Sequence, residues 1–142
     1  MQRIIFSLSL MSLAVIPACT KTEKPDSSAD AEPDTRIVVT TASFDQLIKD
    51  SKKPIVLDFW ASWCGPCKMM DPIFREAASE RPDVVFGKVN VDQEPQLAQR
   101  YEIRAIPTLL VIVDRKVVKT GVGVMKKEGL LKLINEAVKS NP

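Results

Sequence analysis

Two cysteines separated by two residues, Cys64-Gly65-Pro66-Cys67, are the side chains of this 142-residue sequence whose types and spacing most directly indicate chemistry. Thiols at this spacing can close a disulfide, and within an α/β pattern they indicate a redox site. The motif stands between an apolar run and a helical pattern, so Cys64 is placed where a helix begins. Unpaired N–H groups and the helix dipole favour negative charge there, which stabilises the nucleophilic thiolate. Pro66 suits the first turn of a helix, because a backbone N–H there has no acceptor within the helix and proline lacks one.

Other interpretations of the cysteine pair fit the sequence less well. A structural disulfide gives no reason for a Gly-Pro dipeptide at a helix start. A structural zinc site needs four ligands, and two cysteines in a chain without histidine supply half of them. Two thiolates could bind copper(I), but the tryptophan just before Cys64 is not what a metal-delivery loop needs. The prediction is a redox-active disulfide that works without a metal or other cofactor.

The composition excludes several other classes of function. The chain has no histidine, which excludes Ser-His-Asp and Cys-His catalytic sets and histidine-based metal sites. The net charge is +2 and basic residues form no block, so nucleic acid is not an expected partner, because phosphate binding needs clustered Lys and Arg. No feature of the sequence indicates an oligomer, and we expect a monomer.

The N-terminal segment has the pattern of an exported protein. Residues 1–18 combine a basic start, an apolar run and small residues, as in a secretory signal peptide, and the run is shorter than the about 20 residues of a membrane-spanning helix. The sequence Ile16-Pro17-Ala18-Cys19 resembles a bacterial lipobox. That resemblance implies a lipid on Cys19 that anchors the chain to a bacterial membrane facing the periplasm, with the outer membrane slightly favoured by Thr20. The alternative is plain secretion with cleavage after Ala18, which would leave Cys19 a free thiol.

The stretch that follows the anchor cysteine cannot build a core. Residues 20–35 contain no aromatic side chain and no aliphatic one larger than alanine, and they include many charges and two prolines. Such a composition indicates a disordered tether. The predicted organisation is therefore a signal peptide at 1–18, the lipid-anchor cysteine with its tether at 19–35, and a folded domain at 36–142.

Residues 36–142 have the alternating pattern of an α/β domain that would position the two cysteines. Apolar runs such as Ile55–Trp60 indicate strands buried on both faces. Asp114-Arg115 between two strand-like runs indicates a hairpin, which makes the predicted central sheet mixed, with helices on both faces. Ser43 is the predicted N-cap of the first helix. The predicted strands are 37–39, 55–60, 84–91, 108–113 and 116–119, and the predicted helices are 44–50, 65–80, 94–101 and 126–139.

Asp58 is the most unusual residue of the predicted core. It stands in an apolar strand, with Val56 and Trp60 as neighbours on its own face. Burial without a partner should raise its pKa. The alternative is a buried carboxylate whose hydrogen bonds are satisfied.

Four stretches of the sequence are similar to the thioredoxin family, in order and at ordinary spacing: DFWASWCGPCKMMDP at 58–72, VNVDQEP at 89–95, IRAIPTLLV at 103–111 and the region of Gly123. The resemblance covers nearly all of residues 36–142. It implies the thioredoxin fold and thiol–disulfide exchange with protein disulfides. It also implies that Cys64 attacks the substrate disulfide and that Cys67 resolves the mixed disulfide.

The resemblance implies roles for further residues around the pair. Asp58 would relay a proton to Cys67, and Lys88 would lie near that carboxylate in a modulatory role, a surface lysine being the alternative. Pro107 would be a cis-proline that faces the disulfide, with an ordinary turn proline as the alternative.

The remaining implied roles concern substrate. The backbone of Ile106, exposed beside the cis-proline, would pair with a substrate strand. Trp63 and Gly123 would form an apolar rim that receives substrate.

The dipeptide between the cysteines indicates the direction of the reaction. In the thioredoxin family Gly-Pro accompanies a reducing potential, so the expected function is reduction of protein disulfides outside the cytoplasm. An oxidising compartment would keep the pair oxidised, and a membrane electron-donor protein is therefore an expected partner. The alternatives are a disulfide oxidase or isomerase, and a tethered client-binding module whose redox activity is incidental.

Overall fold

The computed structural model describes residues 34–140. The predicted signal peptide, the anchor cysteine Cys19 and most of the predicted tether lie outside the described residues. Within the described part, no helix is both long and apolar enough to cross a membrane. The strands are β1 (Ile37–Val38), β2 (Ile55–Trp60), β3 (Val85–Asn90), β4 (Thr108–Val113) and β5 (Lys116–Val122). The helices are α1 (Thr41–Asp50), α2 (Gly65–Glu80), α3 (Pro95–Arg100) and α4 (Lys127–Lys139).

The five strands form one sheet in the order β1-β3-β2-β4-β5. β1 and β2 pair with β3 in parallel, whereas β4 pairs antiparallel with both β2 and β5. The predicted mixed sheet is therefore confirmed. The strand that leads into the cysteine motif, β2, lies in the centre of the sheet, which explains its nearly continuous apolar sequence.

Successive side chains of β2 point to opposite faces of the sheet, and each face carries its own core. Phe59 packs with Phe44 of α1 and Leu97 of α3. Val56 packs in the other core, with side chains of α2 and α4. Helices on both faces were predicted and are confirmed. Asp58, two residues after Val56, faces the α2 and α4 side.

The first helix begins earlier than predicted. Its N-cap is Thr40, not Ser43, and the helix starts at Thr41. The N–H of Ser43 donates to Thr40 Oγ1 at 3.1 Å, and the N–H of Thr40 donates to Ser43 Oγ at 3.0 Å. Ser43 therefore completes a capping box as its third helical residue.

Thr40→Ala is expected to lower the free energy of unfolding by about 1 kcal/mol, because the Ser43 N–H then loses its side-chain acceptor and keeps only the Thr40 carbonyl. Chemical denaturation of the two proteins measures the difference. The control is Ser79→Ala, which removes a hydroxyl that donates to the Glu76 carbonyl inside α2 and should cost less than about 0.5 kcal/mol. Equal losses in both variants would contradict the capping role.

The predicted hairpin is confirmed, but its second strand is longer than predicted. Asp114 and Arg115 have φ values of 48° and 69°, the left-handed conformation of a two-residue hairpin turn. β5 continues to Val122, which pairs with Thr108 at the start of β4. The predicted strand ends at Lys119, shortly before Gly121, and glycine is depleted in strands. Pairing along the whole of β4 outweighs that local preference.

Candidate active site

Cys64 and Cys67 form a disulfide, with their Cα atoms 5.3 Å apart. Cys64 is the N-cap of α2, and the backbone N–H of Cys67 donates to Cys64 Sγ at 3.1 Å. Both residues are almost fully buried, at 4% and 2% exposure. The predicted placement of the pair at a helix start is confirmed. A sulfur anion on Cys64 would accept the same hydrogen bond from the Cys67 N–H. The positive end of the helix dipole would also stabilise its negative charge.

The turn between β2 and α2 fixes the position of the disulfide. The N–H of Cys64 donates to the carbonyl of Ala61 at 3.2 Å, and Ala61 packs with both cysteines. Pro66 lies in the first turn of α2, as predicted. A Cβ atom at Gly65 would have nothing within 4 Å, so this first residue of α2 borders open space.

A second loop meets the disulfide from the side of β4. The Ile106-Pro107 peptide bond is cis, as the resemblance implies, so the alternative of an ordinary turn proline does not hold. The carbonyl oxygen of Ile106 lies 3.8 Å from Cys64 Sγ. The carbonyl of Pro107 accepts a hydrogen bond of 2.8 Å from the N–H of Gly123, whose φ of 84° favours glycine. These contacts bring all three predicted loop residues to one end of the sheet.

Four exposed apolar side chains lie close in sequence to the cysteines or to Gly123. Trp63 is 68% exposed, and its indole N–H donates to Asp92 Oδ2 at 3.0 Å. Met69, Val122 and Val124 are also exposed and were not singled out from the sequence. Exposed apolar side chains that form a patch are typical of a site that binds another protein. A groove beside Trp63 is lined by Val91, Ala98, Ile103, Arg104, Ala105 and Ile106.

Asp58 is fully buried, and neither of its carboxylate oxygens has a hydrogen-bond partner among the described residues. No protein group among residues 34–140 satisfies this carboxylate by a hydrogen bond. Burial raises the pKa of Asp58 to about 6, against the opposing effect of the Lys88 ammonium, while Asp71 adds to the rise and Arg36 opposes it. A carboxyl group with such a pKa can take up or release a proton near neutral pH.

Lys88 is a partly buried residue of β3 rather than a surface lysine. It is the register partner of Asp58 in the neighbouring strand, and its Nζ lies 3.9 Å from Asp58 Oδ2. The ammonium also lies 4.5 Å from the ring centroid of Trp60 and donates a hydrogen bond to Asp71 Oδ1. The side chain is 16% exposed.

Sequence reasoning missed Asp71. It accepts hydrogen bonds from Arg36 at 2.8 Å, from Arg75 at 3.1 Å and from Lys88. Burial opposes its ionisation, but the hydrogen bonds from Lys88 and Arg36 outweigh burial and hold the pKa of Asp71 well below its usual range. Its position four residues after Cys67, on the same side of a helix, is the one signal that could have drawn attention to it.

A small opening connects these charged groups with the disulfide. Its lining consists of Trp60, Cys67, Lys68, Asp71 and Lys88. Cys67 and the charged side chains near Asp58 therefore border the same space. Among residues 34–140, no group of three or more histidine, cysteine, aspartate or glutamate side chains is arranged to hold a metal ion.

Comparisons with known proteins agree with this geometry. The thioredoxin family model matches residues 35–136. A thioredoxin of Mycobacterium tuberculosis is 42% identical over 110 residues, which cover 77% of this chain and 95% of that protein. A Mycobacterium leprae protein named bifunctional thioredoxin reductase/thioredoxin is 41% identical over 103 residues, which cover 72% of this chain and 22% of that protein.

A solved structure shows the same fold. It concerns the thiol resolving mechanism in yeast mitochondrial 1-Cys peroxiredoxin via glutathione/thioredoxin systems, and its matching chain has a TM-score of 0.66 and 34% identity. The match covers 72% of this chain and 95% of that one. Thioredoxins act through a redox-active disulfide without a cofactor, and Cys64 with Cys67 forms such a disulfide here. The chain belongs to the thioredoxin family and is a thiol–disulfide oxidoreductase.

Proposed function

We propose that the chain reduces protein disulfides outside the cytoplasm, drawing electrons from a membrane protein. The observation that carries thiol–disulfide exchange is the placement of Cys64 as the N-cap of α2, with its Sγ accepting the Cys67 N–H. Both features stabilise the Cys64 thiolate, the nucleophile that opens a substrate disulfide. The Gly-Pro dipeptide between the cysteines supports the reducing direction, because in the thioredoxin family it accompanies a reducing potential.

The proposed reaction has two steps. The Cys64 thiolate attacks one sulfur of a substrate disulfide, which forms a mixed disulfide and releases a substrate thiolate that takes a proton from water. The Cys67 thiol then gives its proton to Asp58, with the help of water, and attacks Cys64 Sγ. The mixed disulfide breaks, the Cys64–Cys67 bond forms, and the second substrate sulfur leaves as a thiolate. Two electrons pass from the chain to the substrate.

The substrate would dock on the apolar rim beside the disulfide. The Ile106 carbonyl oxygen lies 3.8 Å from Cys64 Sγ, and an extended substrate segment would run alongside this backbone. Trp63 and Gly123 border the same end of the sheet. Mostly backbone and apolar contacts suit substrates that share a disulfide rather than a sequence.

Trp63→Ala is expected to raise KM for a protein disulfide about tenfold, or about 1.4 kcal/mol, because an exposed tryptophan is a frequent source of binding energy. Steady-state kinetics measure this change. The matched control is Val38→Ala, which trims a side chain 78% exposed on the edge strand β1. An unchanged KM in the Trp63 variant would rule out the docking role.

The electron donor and the location are supported by separate observations. The signal-peptide pattern of residues 1–18 supports export. The Mycobacterium leprae relative is named as a reductase joined to a thioredoxin, which supports the general need for a donor. Outside the cytoplasm that donor would have to carry electrons across a membrane. Trapping thiols in living cells tests this proposal, and a chain that is always oxidised would exclude it.

Lipid attachment at Cys19 is tested by mass spectrometry of the membrane fraction. We expect an N-terminal peptide that begins at Cys19 and carries acyl chains. Cys19→Ala should release the protein from the membrane. A peptide with a free Cys19 thiol would favour plain secretion instead.

The reducing direction is tested in a single turnover. The pre-reduced chain is mixed with an equal amount of a protein disulfide, and in a parallel reaction the oxidised chain is mixed with the same protein in its dithiol form. The proposal expects the first reaction to run nearly to completion and the second to run little. The opposite result would indicate an oxidase.

A further inference from the structure

The Lys88 ammonium has two carboxylates within reach. It donates a hydrogen bond to Asp71 Oδ1, whereas Asp58 Oδ2 lies 3.9 Å away, beyond hydrogen-bond distance. Both oxygens of the buried Asp58 carboxylate are without a hydrogen-bond partner among residues 34–140. The lysine is therefore bonded to the partly exposed carboxylate and not to the buried one.

Asp71 is itself held in place from two other directions. The Arg36 guanidinium, whose side chain is 7% exposed, donates to Asp71 Oδ1 at 2.8 Å and to the Asp71 carbonyl at 3.2 Å. Arg75, one turn further along α2, donates to Asp71 Oδ2 at 3.1 Å. Because charge-assisted hydrogen bonds fix both carboxylate oxygens, Asp71 presents a fixed acceptor to Lys88.

We propose that Asp71 is a positioning residue that holds the Lys88 ammonium away from Asp58, so that the buried carboxyl keeps its capacity to hold a proton. The inference rests on the proposed role of Asp58 as the proton acceptor for Cys67. A direct Lys88–Asp58 pair would stabilise the Asp58 carboxylate and make it a weaker base. Asp71 and Lys88 line the opening beside Cys67, so they act where that proton is exchanged.

The charged groups around Asp58 decide whether its proton affinity rises or falls when Asp71 is replaced. Lys88 faces it from β3, Asp71 from α2, and Arg36 from the segment before β1. The register partner on β4 is the apolar Leu109, which adds no charge. Replacing Asp71 by asparagine removes a negative charge that favours the protonated carboxyl, and it also frees Lys88 to approach Asp58. Both changes lower the proton affinity of Asp58.

The test is a carbon-13 NMR titration of the Asp58 carboxyl group in the oxidised full chain, where neither Cys64 nor Cys67 titrates. The signal is assigned by its loss in Asp58→Asn. In Asp71→Asn the midpoint is expected to fall by about one pH unit, the scale of a newly approached opposite charge. Asp71→Ala should give the same change. An unchanged or higher midpoint in these variants would overturn the proposal.

The matched control is Asp83→Asn, the same chemical change at a carboxylate that pairs with Arg81 on the surface. It should leave the Asp58 midpoint where it is. A shift as large as that of Asp71→Asn would show that the midpoint responds to any lost charge, and it would overturn the positioning role.

A second pair of variants separates the action through Lys88 from the direct effect of the Asp71 charge. Lys88→Met alone should raise the Asp58 midpoint, because it removes a cation. In that background, Asp71→Asn should lower the midpoint by less than it does in the wild type. Equal changes in both backgrounds would show that Asp71 does not act through Lys88.

Failure of the proposed function and failure of this inference give different experimental results. If Asp58 is not the proton acceptor, Asp58→Asn leaves the rate of resolution of the mixed disulfide unchanged, while the midpoints still move as described. If Asp71 does not position Lys88, Asp71→Asn lowers the midpoint equally in the wild type and in Lys88→Met, whatever the rates do.

Discussion

Cys64→Ser is expected to reduce the rate of protein-disulfide reduction by roughly a thousand-fold or more, the scale on which loss of a covalent nucleophile acts in other enzymes. A serine hydroxyl at the same N-cap is not ionised at neutral pH and cannot form the mixed disulfide. The measurement is reduction of a protein disulfide with dithiothreitol as the electron source. A variant that retained more than a tenth of the wild-type rate would contradict the assignment of Cys64 as nucleophile.

The matched variant Cys67→Ser is expected to fail differently. It keeps the nucleophile but has no resolving thiol, so the mixed disulfide between Cys64 and substrate should accumulate. Mass spectrometry under non-reducing conditions detects this species as the summed mass of the two proteins. The double variant carrying serine at both positions tests the remaining alternative, because a client-binding module would keep its biological activity without either thiol.

Asp58→Asn is expected to stabilise the oxidised protein by about 3 kcal/mol at pH 8 and to have little effect at pH 4. Burial raises the folded-state pKa of Asp58 to about 6, above the unfolded value of about 3.9. Between these values the folded state binds more protons than the unfolded state, so the stability falls as the pH rises. Below about pH 4 both states are protonated and no penalty remains. Asparagine is uncharged at every pH, as the protonated carboxyl is. The variant therefore does not lose stability as the pH rises.

Denaturant unfolding at the two pH values measures this effect. The control is Asp45→Asn, whose side chain is 73% exposed and which should change the free energy of unfolding by less than about 0.5 kcal/mol at either pH. If the Asp58 variant were equally or less stable than the wild type at pH 8, Asp58 would not be a destabilising buried carboxylate. The account of its proton affinity would then be wrong.

The sequence was most informative where local pattern and burial agree. The bounds of β2, β4 and α2 were predicted as the structure has them, because apolar runs and the Gly-Pro helix start are local signals. The start of α1 was predicted wrongly, because Thr40 and Ser43 are both good capping residues and the capping box uses both. The length of β5 depends on its pairing with β4, which no local pattern contains.

The candidate site divides in the same way. The cysteine pair and the buried position of Asp58 followed from residue types and spacing, and the roles of Pro107 and Gly123 came from the family resemblance. Neither the residue spacing nor the family resemblance identified Asp71. Its contacts join residues 17 and 35 positions apart, and only the folded chain shows that Lys88 and Arg36 meet on one carboxylate. The same spacing on a helix is found in many surface aspartates without such contacts.

The equilibrium reduction potential of the Cys64–Cys67 disulfide tests the central claim most directly. The full chain is equilibrated with dithiothreitol or glutathione buffers, and the fraction of dithiol is read by thiol trapping. A protein-disulfide reductase should have a potential near about −270 mV, the known value for thioredoxin itself. About 30 mV corresponds to roughly 1.4 kcal/mol for two electrons, so the measurement separates the alternatives clearly. A potential of about −180 mV or higher, in the range of disulfide isomerases and oxidases, would contradict the proposed direction.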